Sequence, residues 1–292
     1  MILLTGATGV IGSALLAKLL AGGEPVRCLV RDPRRLGAQR VRVQIALGDL
    51  GDPGSFRNAL RGVDTVVHLA AATRDQPRGS IEEIVTMATL RLVQAAQRAG
   101  VEHFVFFSVL GASAHHRVRL FRAKAIAERI VTEASVRSTV IAPSLVYAPD
   151  DRWLKLVERL AWLPAVPVPG SGRARCEPIW AQDVADCVVA VLGRQTDTSG
   201  RYELVGPQTL TYNQVLHTIL KAAGRHRRLA HVPPGLAERA LRAVELLAGE
   251  EAPVTWEEAE LVRAECVSAR GTADAQALGV EPQRMGLVLG LG

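Results

Sequence analysis

Cysteine, aromatic residues, lysine and long apolar runs are all scarce in this chain, and each shortage excludes something. Four cysteines occur in 292 residues, Cys28, Cys176, Cys187 and Cys266, with none of the paired spacing that zinc or a dithiol requires. No cysteine-based metal site is expected, and a reducing compartment is. Phe, Trp and Tyr make up 4% of the chain and are not interleaved with a run of arginines, which removes the stacking platform of a nucleic-acid binder. The most apolar region, around residues 160–169, is interrupted by Pro164, Pro167 and Pro169 and falls short of the roughly 18 to 20 residues that cross a bilayer. Residues 1–4 read as a buried strand entering a functional loop, which leaves no room for a leader, and a cytoplasmic location is the expectation.

What is present is the balance of a well-cored globular protein, 48% hydrophobic and 22% charged. Its length suits one large α/β domain or a domain with a smaller appendage. The net charge of +6 resembles that of a nucleic-acid binder, but its distribution argues otherwise. Residues 1–150 hold 19 basic and 12 acidic groups, and residues 151–292 hold 16 and 17. An excess confined to one half, with no clustered basic face, points to a small anionic ligand held by that half and not to nucleic acid.

Residues 1–150 alternate short apolar runs with longer segments of helical period, the pattern of a parallel sheet covered by helices with right-handed β-α-β winding. Strands are predicted over residues 2–5, 26–30, 41–47, 65–70, 104–108 and 138–142. Over 81–99, Ile81, Ile84, Val85, Ala88, Leu92 and Val93 fall close to a 3.6-residue period, a helix with one stripe against a sheet. After about residue 148, Pro164, Pro167, Pro169, Gly170 and Gly172 punctuate shorter segments. The expected division is a first domain over 1–148, joined by 179–193, and a smaller, mostly helical cap from 149–178 and 194–292. Residues 181–192 read as a helix with Asp183 as its N-cap. Residues 235–248 read as an amphipathic helix, with Leu236, Ala240, Leu241, Val244, Leu247 and Ala248 near one face, able to close over a ligand or pair with a partner.

Between the first strand and a helix built on Ala14, Leu15, Leu16, Leu19 and Leu20 stands Thr5-Gly6-Ala7-Thr8-Gly9-Val10-Ile11-Gly12. Gly6 permits a tight turn, Gly9 lets the backbone approach a pyrophosphate, and Gly12 lets the helix pack closely. The helix N-terminus offers N–H groups and a partial positive charge to phosphates. An ordinary β-α turn is the bland alternative, but the triplet's place directly between strand and helix favours a dinucleotide site. The strand over 26–30 ends in Arg31-Asp32-Pro33-Arg34-Arg35, where a dinucleotide fold places the adenosine ribose. Arg31 matches a 2′-phosphate in charge and fork geometry, so NADP(H) is favoured. Asp32 keeps NAD(H) open, and a solvated basic turn is the alternative.

These residues resemble an atypical member of the extended short-chain dehydrogenase/reductase superfamily, along nearly the whole chain. TGATGVIG at 5–12 matches the glycine motif, and Gly48-Asp49-Leu50 the segment whose Asp and following apolar residue contact adenine. His68-Leu69-Ala70-Ala71 matches the strand lining the cofactor, and Pro143-Ser144-Leu145-Val146-Tyr147 the stretch under the nicotinamide. FVFFSVLGAS at 104–113, PGSGRARCEPIWAQDVADCVVAVL at 169–192 and YELVGPQTLTYNQVL at 202–216 most resemble the branch that includes the nucleotide-binding accessory subunit of respiratory complex I and its bacterial relatives. The resemblance implies an α/β fold, a doubly wound parallel Rossmann sheet with a smaller, mostly helical C-terminal cap. It also implies a cofactor held by Gly6, Thr8, Gly9, Val10, Ile11, Gly12, Arg31, Asp49, Leu50, Leu69, Ala70, Ala71, Lys124, Pro143 and Val146.

Catalytic members of the superfamily carry Tyr-x-x-x-Lys on a helix, with a Ser upstream. The Tyr moves a proton to or from the reacting oxygen, the Lys binds ribose and lowers the Tyr pKa, and the Ser orients the carbonyl. Here Lys124 fits the Lys and Ser108 the Ser, but Leu120 stands where the Tyr is required, and neighbouring Phe121 has no proton to give. Carbonyl reduction by that triad is not expected. Lys124 stands out in a chain with 31 Arg and four Lys, because a compact ammonium suits ribose hydroxyls; its alternative is an exposed helix face. The alternative for Ser108 is a strand end satisfied by local backbone. His115, His116 and Tyr147 are other groups that hold a proton near this region, although the histidine pair reads more simply as a solvated loop and His68 as a satisfied core histidine. Ala142 and Ala148 stand where relatives often carry Arg and Gly, so substrate contacts do not transfer.

The leading functional reading is an NADPH-dependent oxidoreductase of unconventional mechanism, its substrate covered by the cap. The alternative is a cofactor-bound accessory or assembly subunit, or an NADPH redox sensor, that does no turnover. Sugar-nucleotide epimerase or dehydratase chemistry needs the absent Tyr and is weakest. The expected partners are a nicotinamide dinucleotide and either a small-molecule substrate or a protein, with no nucleic acid. Peripheral contact with a membrane or a quinone is implied by the named relatives alone.

Overall fold

The computed structural model of the chain describes residues 1–76, 79–193, 198–249 and 252–291. In chain order the strands are β1 (Ile2–Thr5), β2 (Val26–Val30), β3 (Gln44–Leu47), β4 (Thr65–His68), β5 (His103–Phe107), β6 (Arg137–Pro143) and β7 (Val146–Tyr147). They continue with β8 (Ala165–Pro169), β9 (Arg175–Cys176), β10 (Ile179–Trp180), β11 (Gly200–Leu204), β12 (Leu210–Thr211) and β13 (Arg228–Val232). The helices are α1 (Val10–Ala21), α2 (Pro53–Phe56), α3 (Ala88–Ala99), α4 (Arg119–Thr132), α5 (Arg152–Leu160) and α6 (Ala181–Gly193). After them come α7 (Tyr212–Ala222), α8 (Pro234–Ala248), α9 (Trp256–Leu261), α10 (Ala273–Ala277) and α11 (Met285–Val288).

One parallel seven-stranded sheet runs β3-β2-β1-β4-β5-β6-β11, the doubly wound order with a seventh strand added. Its central strands are nearly uninterrupted apolar runs because both faces are covered. Leu3, Val66, Phe104, Phe106 and Val140 pack into one core, with Leu92 and Val93 of α3 and Ala127 and Val131 of α4. Ile2, Leu4, Cys28, Val30, Val67, Val105 and Ile141 pack into the other, against Leu15, Leu16 and Leu19 of α1 and Val184, Val188 and Val191 of α6. All strands of the sheet end on the same edge, and the candidate residues gather there.

Several expectations shift by a few residues, each for a local reason. The strand expected at 41–47 begins only at Gln44, because Asp32 accepts a bond from the Arg34 amide (2.9 Å) and starts a 3-10 segment over Pro33–Val41. The strand expected at 65–70 stops at His68, where Leu69 and Ala70 turn over Gly6. The helix over 81–99 forms but widens into a π-turn at Glu83–Met87. Asp183 is not an N-cap: it is the third residue of α6, and its carboxylate accepts from the Gln283 amide (2.9 Å).

The segments expected to form the cap hold short strands as well as helices, since β8–β13 pair in parallel and β9–β12 pair antiparallel. Prolines read as breaks from sequence are tolerated in β8 because a two-stranded ribbon is all edge. Gly200–Leu204, expected in the cap, returns to the main sheet beside β6. Helix α8 forms as expected, yet none of its residues is buried, and Leu246 and Leu247 are 87% and 88% exposed. Among the described residues no helix is long and apolar enough to cross a membrane.

Candidate functional site

At the end of β1 the chain turns through Gly6, whose φ of 74° is left-handed and whose place a Cβ would fill 2.7 Å from the Ala70 nitrogen. At Gly12 a Cβ would lie 2.1 Å from the Gly6 carbonyl oxygen, so any side chain there pushes α1 off the turn. Gly9 has a looser surround, with only the Gly6 oxygen at 3.4 Å, and its open side faces outward. The N-terminus of α1 has no side-chain cap and no acidic residue in its first turn. The amides of Val10, Ile11 and Gly12, with half-buried Thr8 beside them, therefore present donors and positive potential at the sheet edge.

Arg31 follows the last residue of β2 and is exposed, its Nη1 donating to Gln76 Oε1 (3.2 Å) from the loop after β4. Asp32 is turned to its own backbone as the cap of the 3-10 segment. The Gly48 amide donates to the Val30 carbonyl (3.2 Å), which sets Asp49 and Leu50 beside Arg31. Asp49 Oδ1 accepts from the Gly51 amide (2.9 Å), and Leu50 packs on the core. Across the turn, the Leu69 amide donates to the Thr5 carbonyl (3.2 Å) and the Ala70 amide to the Thr5 hydroxyl (3.3 Å), leaving Ala71 exposed. Pro143 ends β6, its carbonyl accepting from Leu110, and Val146 pairs with Ile179. The structure thus brings Gly6–Gly12, Arg31, Asp49, Leu50 and Leu69–Ala71 to one edge, with Pro143 and Val146 farther along it.

The region expected to carry chemistry is arranged differently. Lys124 is not on an exposed face: it is 5% exposed, Nζ donates to the Phe107 carbonyl, and it lies 4.8 Å from the centre of the Phe106 ring. Burial pulls its pKa down to about 7, against the opposing pull of Glu128. Ser108 is buried too, and its partner is no local backbone group. Its hydroxyl donates to Glu128 Oε2 (2.6 Å), and Glu128 is held in turn by Arg201 (2.8 Å). Leu120 is packed into the core. Nothing in the sequence marked Glu128, although its position four residues after Lys124 puts the two on one helix face.

Tyr147 is fully buried and its hydroxyl has no partner among the described residues. Burial and nearby Asp183 push its pKa up, so it neither reaches the edge nor gives up a proton readily. His116 stacks on Phe121 with ring centres 4.4 Å apart and accepts from the Val118 amide, while His115 is exposed. Burial pulls the His116 pKa down, and Arg117 and Arg122 add to that pull. His68 is the core histidine expected: Nδ1 meets Thr5 Oγ1 (2.7 Å) and Nε2 meets Thr89 Oγ1 (3.1 Å). Burial drives its pKa down to about 3. One further cluster escaped the sequence entirely. Arg119 holds Asp75 (2.9 and 3.0 Å) and Glu82 (3.0 and 2.6 Å), with Glu257 at 3.7 Å, tying the loop after β4 to α4 and α9.

Residues 1–261 match the NmrA-like family. Sterol demethylase protein B of Methylococcus capsulatus is 33% identical over 262 residues, 81% of this chain and 78% of that protein. The NAD(P)H azoreductase of Xenophilus azovorans is 29% identical over 247 residues, 82% and 80% of the two chains. The mitochondrial NADH dehydrogenase (ubiquinone) 1 alpha subcomplex subunit 9 of Arabidopsis thaliana is 27% identical over 249 residues, 80% of this chain and 60% of that one. With the match covering most of its length and the glycine turn intact between β1 and α1, the chain belongs to the NmrA-like family of atypical short-chain dehydrogenase/reductases.

Proposed function

We propose that this protein binds NADP(H) along the C-terminal edge of its sheet and acts as an NADPH-dependent oxidoreductase that works without the usual tyrosine. The observation that carries the reading is the pairing of an uncapped α1 N-terminus with an exposed Arg31 whose acidic neighbour is tied to its own backbone. The residues fit the cofactor: the outer side of Gly9 is open for a pyrophosphate, and the guanidinium forks of Arg31, Arg34 and Arg35 suit a 2′-phosphate. Asp49 and Leu50 would border the adenine, Leu69, Ala70 and Ala71 the phosphates and ribose, and Pro143 and Val146 the nicotinamide. When bound, the nicotinamide supplies a hydride. Lys124 would reach ribose hydroxyls only by leaving the Phe107 carbonyl, and Ser108 would orient a substrate only by leaving Glu128. The remaining residues over 149–178 and after β11 would form the substrate or partner side. The NAD(P)H azoreductase among the relatives supports this reading.

A second reading has its own support. Leu120, the engaged Ser108 and the sealed Tyr147 supply no ready proton, and the complex I relative supports a cofactor-bound accessory role or redox sensing without turnover. Fluorescence titration with NADPH and NADH, followed by stopped-flow release, separates the two. Micromolar NADPH binding released faster than about 10 per second fits an enzyme. Release over minutes sinks turnover and leaves the accessory role, and no binding of either cofactor sinks both.

A further inference from the structure

A cavity of about 640 Å³ opens between the β5–α4 loop and the cap, apart from the residues assigned to the cofactor. Its walls come from four separated segments: Arg117 before α4, the Gly170–Arg173 turn after β8, His231–Pro234 where β13 meets α8, and Arg263 beyond α9. Arg117, Arg173 and Arg263 carry no ion pair among the described residues. The one lining carboxylate, Glu265, is already engaged by Arg175 (3.2 Å). The turn is rigid: the Gly172 carbonyl accepts from the Asn213 amide (3.0 Å), and Asn213 Nδ2 donates to the Ser171 carbonyl (3.1 Å). Gly172 has φ 62°, and a Cβ there would meet Asn213 Oδ1 at 1.9 Å.

Three guanidinium groups around one space, whose one lining carboxylate is paired with Arg175, raise a positive potential that a dianion relieves better than a single negative charge. Their forked donors match the oxygens of a phosphate. A phosphate group fills a small part of such a volume, and the rest admits an organic body. We infer that this cavity holds the phosphate end of a phosphorylated small molecule, the substrate of the proposed reductase. Its role as a substrate site rests on that reading; the binding of the phosphate does not.

The test is calorimetric titration of the full chain, saturated with NADPH, with phenyl phosphate, benzoate and inorganic phosphate. Phenyl phosphate should bind about tenfold or more tightly than either of the others. Arg117→Gln and Arg263→Gln, from separate segments of the wall, should each weaken it about tenfold while leaving NADPH affinity and Tm unchanged. Benzoate binding as well as phenyl phosphate, or affinity unmoved by both substitutions, overturns the proposal. Inorganic phosphate binding equally well overturns the organic body. Phenyl phosphate binding in a chain that takes no NADPH would sink the cofactor reading and leave the phosphate site standing.

Discussion

The glycine turn after β1 and the Ser108–Lys124 region after β5 lie two strands apart on one sheet edge, yet different constraints hold them. The turn is a matter of backbone: Gly6 and Gly12 leave no room for a Cβ, so its shape follows once β1 and α1 form. The second region is a matter of side chains. Leu120 packs in the core where a catalytic tyrosine would stand, and α4 forms without one. The backbone-limited turn and the side-chain arrangement after β5 are therefore separable in this fold, and a chain can keep the first while rearranging the second.

The comparison breaks most directly at Gly12. Gly12→Val should cost about 3 kcal/mol of stability and abolish NADPH binding, read by urea unfolding and fluorescence titration. A stable, NADPH-binding variant would show that the turn is not backbone-limited. Next in size, Arg31→Ala should weaken NADPH by about 1.5 to 3 kcal/mol and leave NADH nearly unchanged. Equal losses for both cofactors would remove Arg31 from the 2′-phosphate.

Two buried basic side chains sharpen the contrast through pH. His68, between the two regions, is protonated in the unfolded chain below 6.5 but in the folded one only below about 3. Stability should therefore fall as pH drops from 6.5 toward 3, by at most about 1.4 kcal/mol per pH unit. His68→Gln should flatten that slope. Lys124 is neutral in the fold above about 7 and charged in the unfolded chain up to 10.5, so it makes stability rise with pH across that window. Lys124→Met should remove the rise in urea denaturation series, and an unchanged profile would mean the ammonium is solvated. The smallest effect concerns Leu120→Tyr. With Ser108 engaged by Glu128, turnover in an NADPH-oxidation assay should change by less than about threefold, against the 100-fold or more of a working general acid.

The parallel α/β layering, the strand–glycine turn–helix unit and the core histidine were legible in the sequence because each rests on local periodicity or on a residue type with few conformational options. The strand misread at 41–47 shows the limit: Val41, Val43 and Ile45 alternate as a strand does, but Asp32 and Pro33 start helical turns first, and Val41 is left 82% exposed. Less was legible at the site. Ser108 and Glu128 are twenty residues apart, and Arg119 reaches Asp75, Glu82 and Glu257 in three other segments, contacts that no spacing rule encodes. Cys176 and Cys266, unrelated in the sequence, are brought into one β-bridge with both thiols pushed up to about 12 by burial.

By itself, the sequence determined the alternation of parallel strands with covering helices, the glycine turn with its open helix end, and the absence of tyrosine four residues before Lys124. Those are properties of short windows, where backbone sterics and apolar period decide. Only the tertiary structure decided that Lys124 is buried, that Ser108 faces a carboxylate, that Gly200–Leu204 joins the sheet, and that three arginines with no ion pair among the described residues share a cavity. Burial and electrostatic environment are sums over residues distant in the chain, and they exist only once the layers have packed.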